Sequence, residues 1–332
     1  MRIVSLLALI ALASLIMTAA AVSAGEVVKI GIGTDPAIYE NKVAWVGNDT
    51  DVHLYDLDTK QDRVITTSGA SSVAICGNTM AWREGITGKP TISVYDIVSG
   101  KRVSITKHVD AYSKPSIFGN RMVWSADENV YICDTSSTEP TWIVKGGGPD
   151  IFGGKIAYEA DDGENPQIFV YDIDTGKSEK ASSGHGYLYG PHIYGDRIIW
   201  TNTYTGMGWI EMRVLSSSNQ MMVTNDNGVN PDGSENGCDT GTHIDVYGER
   251  IVYAKTSSDS YGTEGVYVYD MPAAESTQIY ESGKHFTQPA IYGDTVVWSV
   301  DEDGGIYVCD IGTGDEEDLF GRLYKIVSDL IG

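Results

Sequence analysis

Residues 191–200 read PHIYGDRIIW, and residues 289–298 read PAIYGDTVVW. Each stretch is two short alternating apolar runs joined by Gly-Asp, the dipeptide chemistry of a tight primed hairpin turn. Weaker copies occupy 36–45, 73–82, 115–124, 149–158 and 244–253, which makes seven along the chain. The closing aromatics are Trp45, Trp82, Trp124, Tyr158, Trp200, Tyr253 and Trp298, at intervals of 34 to 53 residues. Self-similarity at such a period marks a repeat architecture, and propeller blades occupy about 40–50 residues each.

A third strand follows each phrase after a variable gap, as in Val94-Tyr95-Asp96-Ile97 and Val170-Tyr171-Asp172-Ile173. A turn such as Asp174-Thr175-Gly176-Lys177 leads to a fourth strand such as Val103-Ser104-Ile105-Thr106. Each repeat is therefore expected to be a four-stranded antiparallel meander, and the chain an all-β, seven-bladed propeller. A string of immunoglobulin-like sandwiches is the rival, but it would not repeat one hairpin phrase at this interval. Residues 26–32 (EVVKIGI) resemble an orphan fourth strand. The last repeat shows only three, so the N-terminal strand is expected to complete the last blade and close the ring. After the propeller, 25–314, residues 315–332 place Leu319, Leu323, Ile326, Val327 and Leu330 at helical spacing, which predicts a short C-terminal helix.

Residues 1–24 carry one positive charge, an apolar run and small residues at 22 and 24, the pattern of a signal peptide cut after Ala24; retention as an anchor is the alternative. No later stretch is long and apolar enough to span a membrane. Across the chain 23 Lys plus Arg stand against 46 Asp plus Glu, a formal net charge of −23. That balance excludes nucleic acid as a partner and opposes anionic lipid, while favouring cationic ligands and divalent metals. Cys76, Cys133, Cys238 and Cys309 lie far apart with no metal-type spacing, and no disulfide pair is assigned.

The Ile-Tyr-Gly-Asp-Arg-Ile-Val-Trp and Val-Tyr-Asp-Ile-Asp-Thr-Gly phrases resemble the TolB-like propeller repeats of secreted and surface-layer-associated archaeal proteins, methanogens especially. The resemblance covers nearly all of the mature chain. It implies a propeller at the cell surface or secreted from the cell, with an envelope-binding or structural role. It assigns no catalytic residue, because the repeated positions are scaffold.

Candidate sites follow from the strand order. Connections between blades and between second and third strands share one face of the disc, where length varies and binding is expected. The residue after the phrase proline lies near the channel entrance on that face: Ala37, Ala74, Ser116, Asp150, His192, Asp245 and Ala290. Asp150, His192 and Asp245, from consecutive blades, are nominated as a site for a divalent cation or a polar ligand. The competing reading is a solvated channel with ordinary hydrogen bonds. Tyr204 and Trp209 fall outside the repeat pattern and are candidates for an exposed aromatic contact. Asp226, Asn230, Asp232 and Glu235 in the longest insertion supply spaced oxygen ligands that could suit calcium, against the plainer reading of a solvated loop. The recurring Asp56, Asp96, Asp172, Asp270 and Asp310 read as turn-capping residues.

No nucleophile elbow, zinc helix, phosphate loop or dinucleotide fingerprint occurs. The expected function is an extracytoplasmic, noncatalytic binding propeller of the cell envelope, with a protein or glycan partner. A structural surface-layer component and a carbohydrate-active enzyme such as a polysaccharide lyase are the alternatives.

Overall fold

The computed structural model of the protein describes residues 22, 24–66, 69–85, 89–183, 186–204, 207–217, 219–224, 238–257, 264–282, 286–301 and 303–312. These form seven four-stranded antiparallel sheets. In six of them the four strands follow in sequence order; the seventh takes its outer strand, Val28–Ile32, from the other end of the chain. That strand pairs antiparallel with Gly305–Asp310, Val28 opposite Val308 and Ile32 opposite Gly305. Its flanks add backbone bonds from Gly25 N–H to the Asp310 carbonyl (2.8 Å) and from Gly33 N–H to the Gly304 carbonyl (2.7 Å). The Lys29 ammonium bonds the Asp303 carboxylate at 2.6 Å. The Trp45 indole N–H reaches across from the first blade to the Ile32 carbonyl at 3.1 Å. Gly31 is required here, since a Cβ would lie 2.4 Å from the Trp45 ring.

One sequence expectation is corrected. The fold is all-β among the described residues, with no helix. The helix expected over 315–332 falls outside those residues, as do the 1–21 segment and the 225–237 insertion.

The phrase forms the first two strands of each blade, and first strands of neighbouring blades pack on one another around the axis. The closing aromatics pack between blades: all five tryptophans are at most 1% exposed, and Tyr158 and Tyr253 at most 3%. Each large ring fills the space between two twisted sheets, so one residue type recurs there. The cluster of Ile38, Val43, Trp45, Val297 and Ile306 joins the first blade to the last.

The recurring aspartates cap the turn before the fourth strand. Asp172 Oδ1 accepts from the Thr175 N–H and hydroxyl, both at 2.8 Å, and Asp56 Oδ1 accepts from Asp58 and Thr59. Asp134 of the third blade does the same with Ser136. These bonds favour the ionised form. The Lys155 ammonium and the Thr175 donors bring the Asp172 carboxyl down to about 2, and hydrogen bonds lower Asp56, Asp96 and Asp134. A depressed carboxylate contributes stability that is complete above its unfolded value near 4 and is lost as pH falls through the folded value. The melting temperature is therefore expected to hold from neutrality to about pH 5 and to fall steadily between about pH 4 and 2. Differential scanning calorimetry against pH checks this, and a melting temperature flat down to pH 2 would contradict it.

Candidate functional site: the channel mouth

The start of the phrase, a proline in five of the seven blades, lies at the mouth. In six of the seven first strands, pairing with the second strand slips where the phrase begins, for example between Gly147 and Asp150, Tyr189 and His192, and Thr287 and Ala290. Proline has no N–H for the ladder and is tolerated at such a bulge, which bends the strand and re-aims its side chains. The residue before the phrase takes a left-handed backbone in four blades: Asp35, Ser72, Gly148 and Gly190, with φ between 50° and 62°.

The bulges surround a cavity of about 400 Å³ at the axis, whose wall includes Asp150, His192, Asp245, Lys114, His243 and Gln288 among prolines, alanines and isoleucines. At the opposite end of the first strands, the fourth phrase residue builds an aromatic belt. Phe118, Phe152, Tyr194, Tyr247, Tyr292 and Tyr39 pack in succession with ring centroids 4.5–4.6 Å apart and planes tilted by 47–49°. Cys76 holds the corresponding position in the second blade.

Asp150, His192 and Asp245 do converge. His192 Nδ1 lies 3.8 Å from Asp150 Oδ2 and 3.7 Å from Asp245 Oδ1, between the two carboxylates and beyond hydrogen-bond length from each. Each aspartate also ties its blade to a neighbour. Asp150 Oδ1 accepts from the Ser116 hydroxyl (2.5 Å) and Oδ2 from the Ile193 N–H (2.9 Å). Asp245 Oδ2 accepts from the Ile291 N–H (2.9 Å) and Oδ1 from the Val246 N–H (2.8 Å). Burial raises the Asp245 carboxyl above the ordinary range, with Asp150 adding to the rise, while His192 and the two amides oppose it.

Sequence reasoning missed a second set of residues, two positions upstream. Lys114 reaches from the third blade to the seventh: with the Gln288 amide turned to the orientation its neighbours require, the Lys114 Nζ donates to its side-chain oxygen at 2.8 Å. The Gln288 amide nitrogen in turn donates to Asp35 Oδ1 of the first blade at 2.6 Å. The surrounding wall pulls the Lys114 ammonium below its usual range, against the attraction of Asp35, Asp150 and Asp245. Burial brings His243 down to about 4, helped by Lys114 and His192, so this imidazole is neutral at physiological pH. The signal was available: read before each phrase, the chain gives Asp35, Ser72, Lys114, Gly148, Gly190, His243 and Gln288.

The other nominated residues lie elsewhere. The half-buried Trp209 donates its indole N–H to Glu211 Oε1 at 3.0 Å; Tyr204 ends the strand Arg197–Tyr204, and its side chain lies outside the described residues. Asp226, Asn230, Asp232 and Glu235 also lie outside them. Among the described residues no group of three or more His, Cys, Asp or Glu side chains is placed to hold a metal ion. Cys76, Cys133 and Cys309 are free thiols. No helix among the described residues is long and apolar enough to cross a membrane.

No family model and no curated protein matches the sequence. Solved structures do match in shape, and they support a TolB-like seven-bladed β-propeller fold. TolB from Acinetobacter baumannii aligns with a TM-score of 0.53 at 16% identity, over 70% of this chain and 59% of that one. The chain thus spans about three fifths of the length of that TolB. The β-propeller domain of the Trilobed protease from Pyrococcus furiosus gives 0.64 at 15% identity, over 88% and 98% of the two chains. An oligogalacturonate lyase in complex with manganese gives 0.62 at 11% identity, over 88% and 96%. Identities this low establish the shared fold alone.

Proposed function

We propose that this chain is an extracytoplasmic, noncatalytic binding propeller of the cell envelope that takes up its ligand at the mouth of the central channel. The observation that carries the reading is the convergence of Asp150, His192 and Asp245, from three consecutive blades, on one cavity at the channel mouth. The mouth carboxylates are committed to backbone amides of neighbouring strands, an arrangement that fixes a shape. The apolar leader over 1–22 and the likeness to TolB support a place outside the cytoplasm.

The lyase neighbour suggests a carbohydrate-active enzyme instead. Oligogalacturonate is a polyanion, however, and here three carboxylates face one lysine at the mouth. Like-charge repulsion favours binding of another ligand class over that reaction.

An array of envelope glycans and peptides, with and without calcium, probed with the mature protein and with His192→Ala, tests the proposal. The expected result is a set of ligands whose binding falls at least about tenfold in the variant, a loss of roughly 1.4 kcal/mol. Ligands that all bind both proteins equally would move the site to the outer loops.

A further inference from the structure

The charges at the mouth indicate what enters it, on the reading that the mouth is the binding site. Asp35, Asp150 and Asp245 all act on one group, the Lys114 ammonium, and His243 beside it is neutral at physiological pH. Lys114 belongs to the third blade, yet its Nζ is bonded to Gln288 of the seventh and, through that amide, linked to Asp35 of the first. It therefore crosses the mouth, and its ammonium sits in the field of all three carboxylates. Taken over the whole residue, Lys114 remains exposed, so its flexible stem can swing out to solvent. Removing it leaves Asp150 and Asp245 in the cavity wall, with Asp35 behind Gln288.

The surroundings continue the same sign. Tyr112, 90% exposed, stands at the rim between this cavity and a neighbouring one of about 500 Å³ lined by Asp110, Asp127 and Glu128. A chain of net charge −23 presents a field that draws basic partners to such a surface.

We propose that the mouth is a lysine-recognition site: a lysine side chain of a partner protein enters it and replaces Lys114, the resident occupant. The incoming ammonium takes over the hydrogen bond to Gln288 and the charge of Asp35, Asp150 and Asp245. The proline and isoleucine wall covers its aliphatic stem.

Calorimetric titration of Lys114→Met and Lys114→Gln with Nα-acetyl-lysine methylamide tests the proposal, with the Nε-acetylated compound and glucosamine as controls. Both variants are expected to melt at or above the wild-type temperature and to bind the lysine probe at least about tenfold more tightly than wild type. Neither control should bind, and adding Asp35→Asn should abolish the gain. A lysine probe bound no better by both variants than by wild type overturns the inference, as does binding of glucosamine in its place. If that happens while array ligands still lose affinity in His192→Ala, the lysine inference falls and the binding site stands. Array ligands indifferent to His192→Ala would remove the binding reading itself.

Discussion

Deleting residues 25–33 is expected to lower the melting temperature by roughly 10 °C or more. The last sheet would lose its fourth strand, and with it the ladder from Val28–Val308 to Ile32–Gly305. The flanking bonds of Gly25 and Gly33 and the Lys29–Asp303 pair would go too. The same cut removes the acceptor of the Trp45 indole, in a cluster that joins the first and last blades. Against a typical margin of about 5–15 kcal/mol, losing one strand in a sheet of four is a large fraction of stability. It also leaves an unpaired edge on Gly305–Asp310 that invites association with other chains. Thermal denaturation with light scattering reads both effects, and an unchanged, monodisperse melt would contradict the role given to this strand.

Glu211→Leu is expected to cost at least about 3 kcal/mol. The Glu211 carboxylate is 9% exposed and collects four donors. Trp200 Nε1 (2.9 Å) and Gln220 Nε2 (3.1 Å) donate to Oε2, and Asn202 Nδ2 and Trp209 Nε1, both at 3.0 Å, donate to Oε1. Leucine matches the volume but strips a bond from each of these groups, and the buried Trp200 has no route to water. Glu211→Gln keeps one acceptor oxygen and should cost less than half as much. Urea unfolding of the two variants measures the difference; a Leu variant within about 1 kcal/mol of wild type would show that the network is dispensable.

These two expectations also mark what the sequence does and does not make legible. The strand Val28–Ile32 is visible as an orphan because the repeats can be counted. Glu211 is invisible because it lies in the third strand of its blade, outside the phrase, and its four donors come from four separate positions. Trp209 reads from sequence as an off-pattern aromatic free to meet a ligand; in the fold its indole N–H is held by Glu211.

The mouth divides in the same way. Asp150, His192 and Asp245 are found from sequence because alignment of the phrase puts equivalent residues of successive blades side by side. Lys114, His243 and Gln288 are equally regular, yet His243 and Gln288 sit inside a register slip and Lys114 precedes its strand altogether. Alternation by two, the rule that assigns residues to faces of a strand, fails across an inserted residue. The reach of Lys114 to a blade that is not its neighbour depends on the diameter of the ring, which no local pattern encodes.

The most direct measurement of the central claim is calorimetric titration of the tightest array ligand into wild type, Asp150→Asn and His192→Ala. The asparagine retains an acceptor for the Ile193 amide, so the tie between blades is disturbed as little as the charge change allows. Circular dichroism melts confirm that each variant is folded. Binding at the channel mouth predicts one site per chain in wild type and at least about tenfold weaker binding in both variants. Equal affinity in all three folded proteins would contradict it.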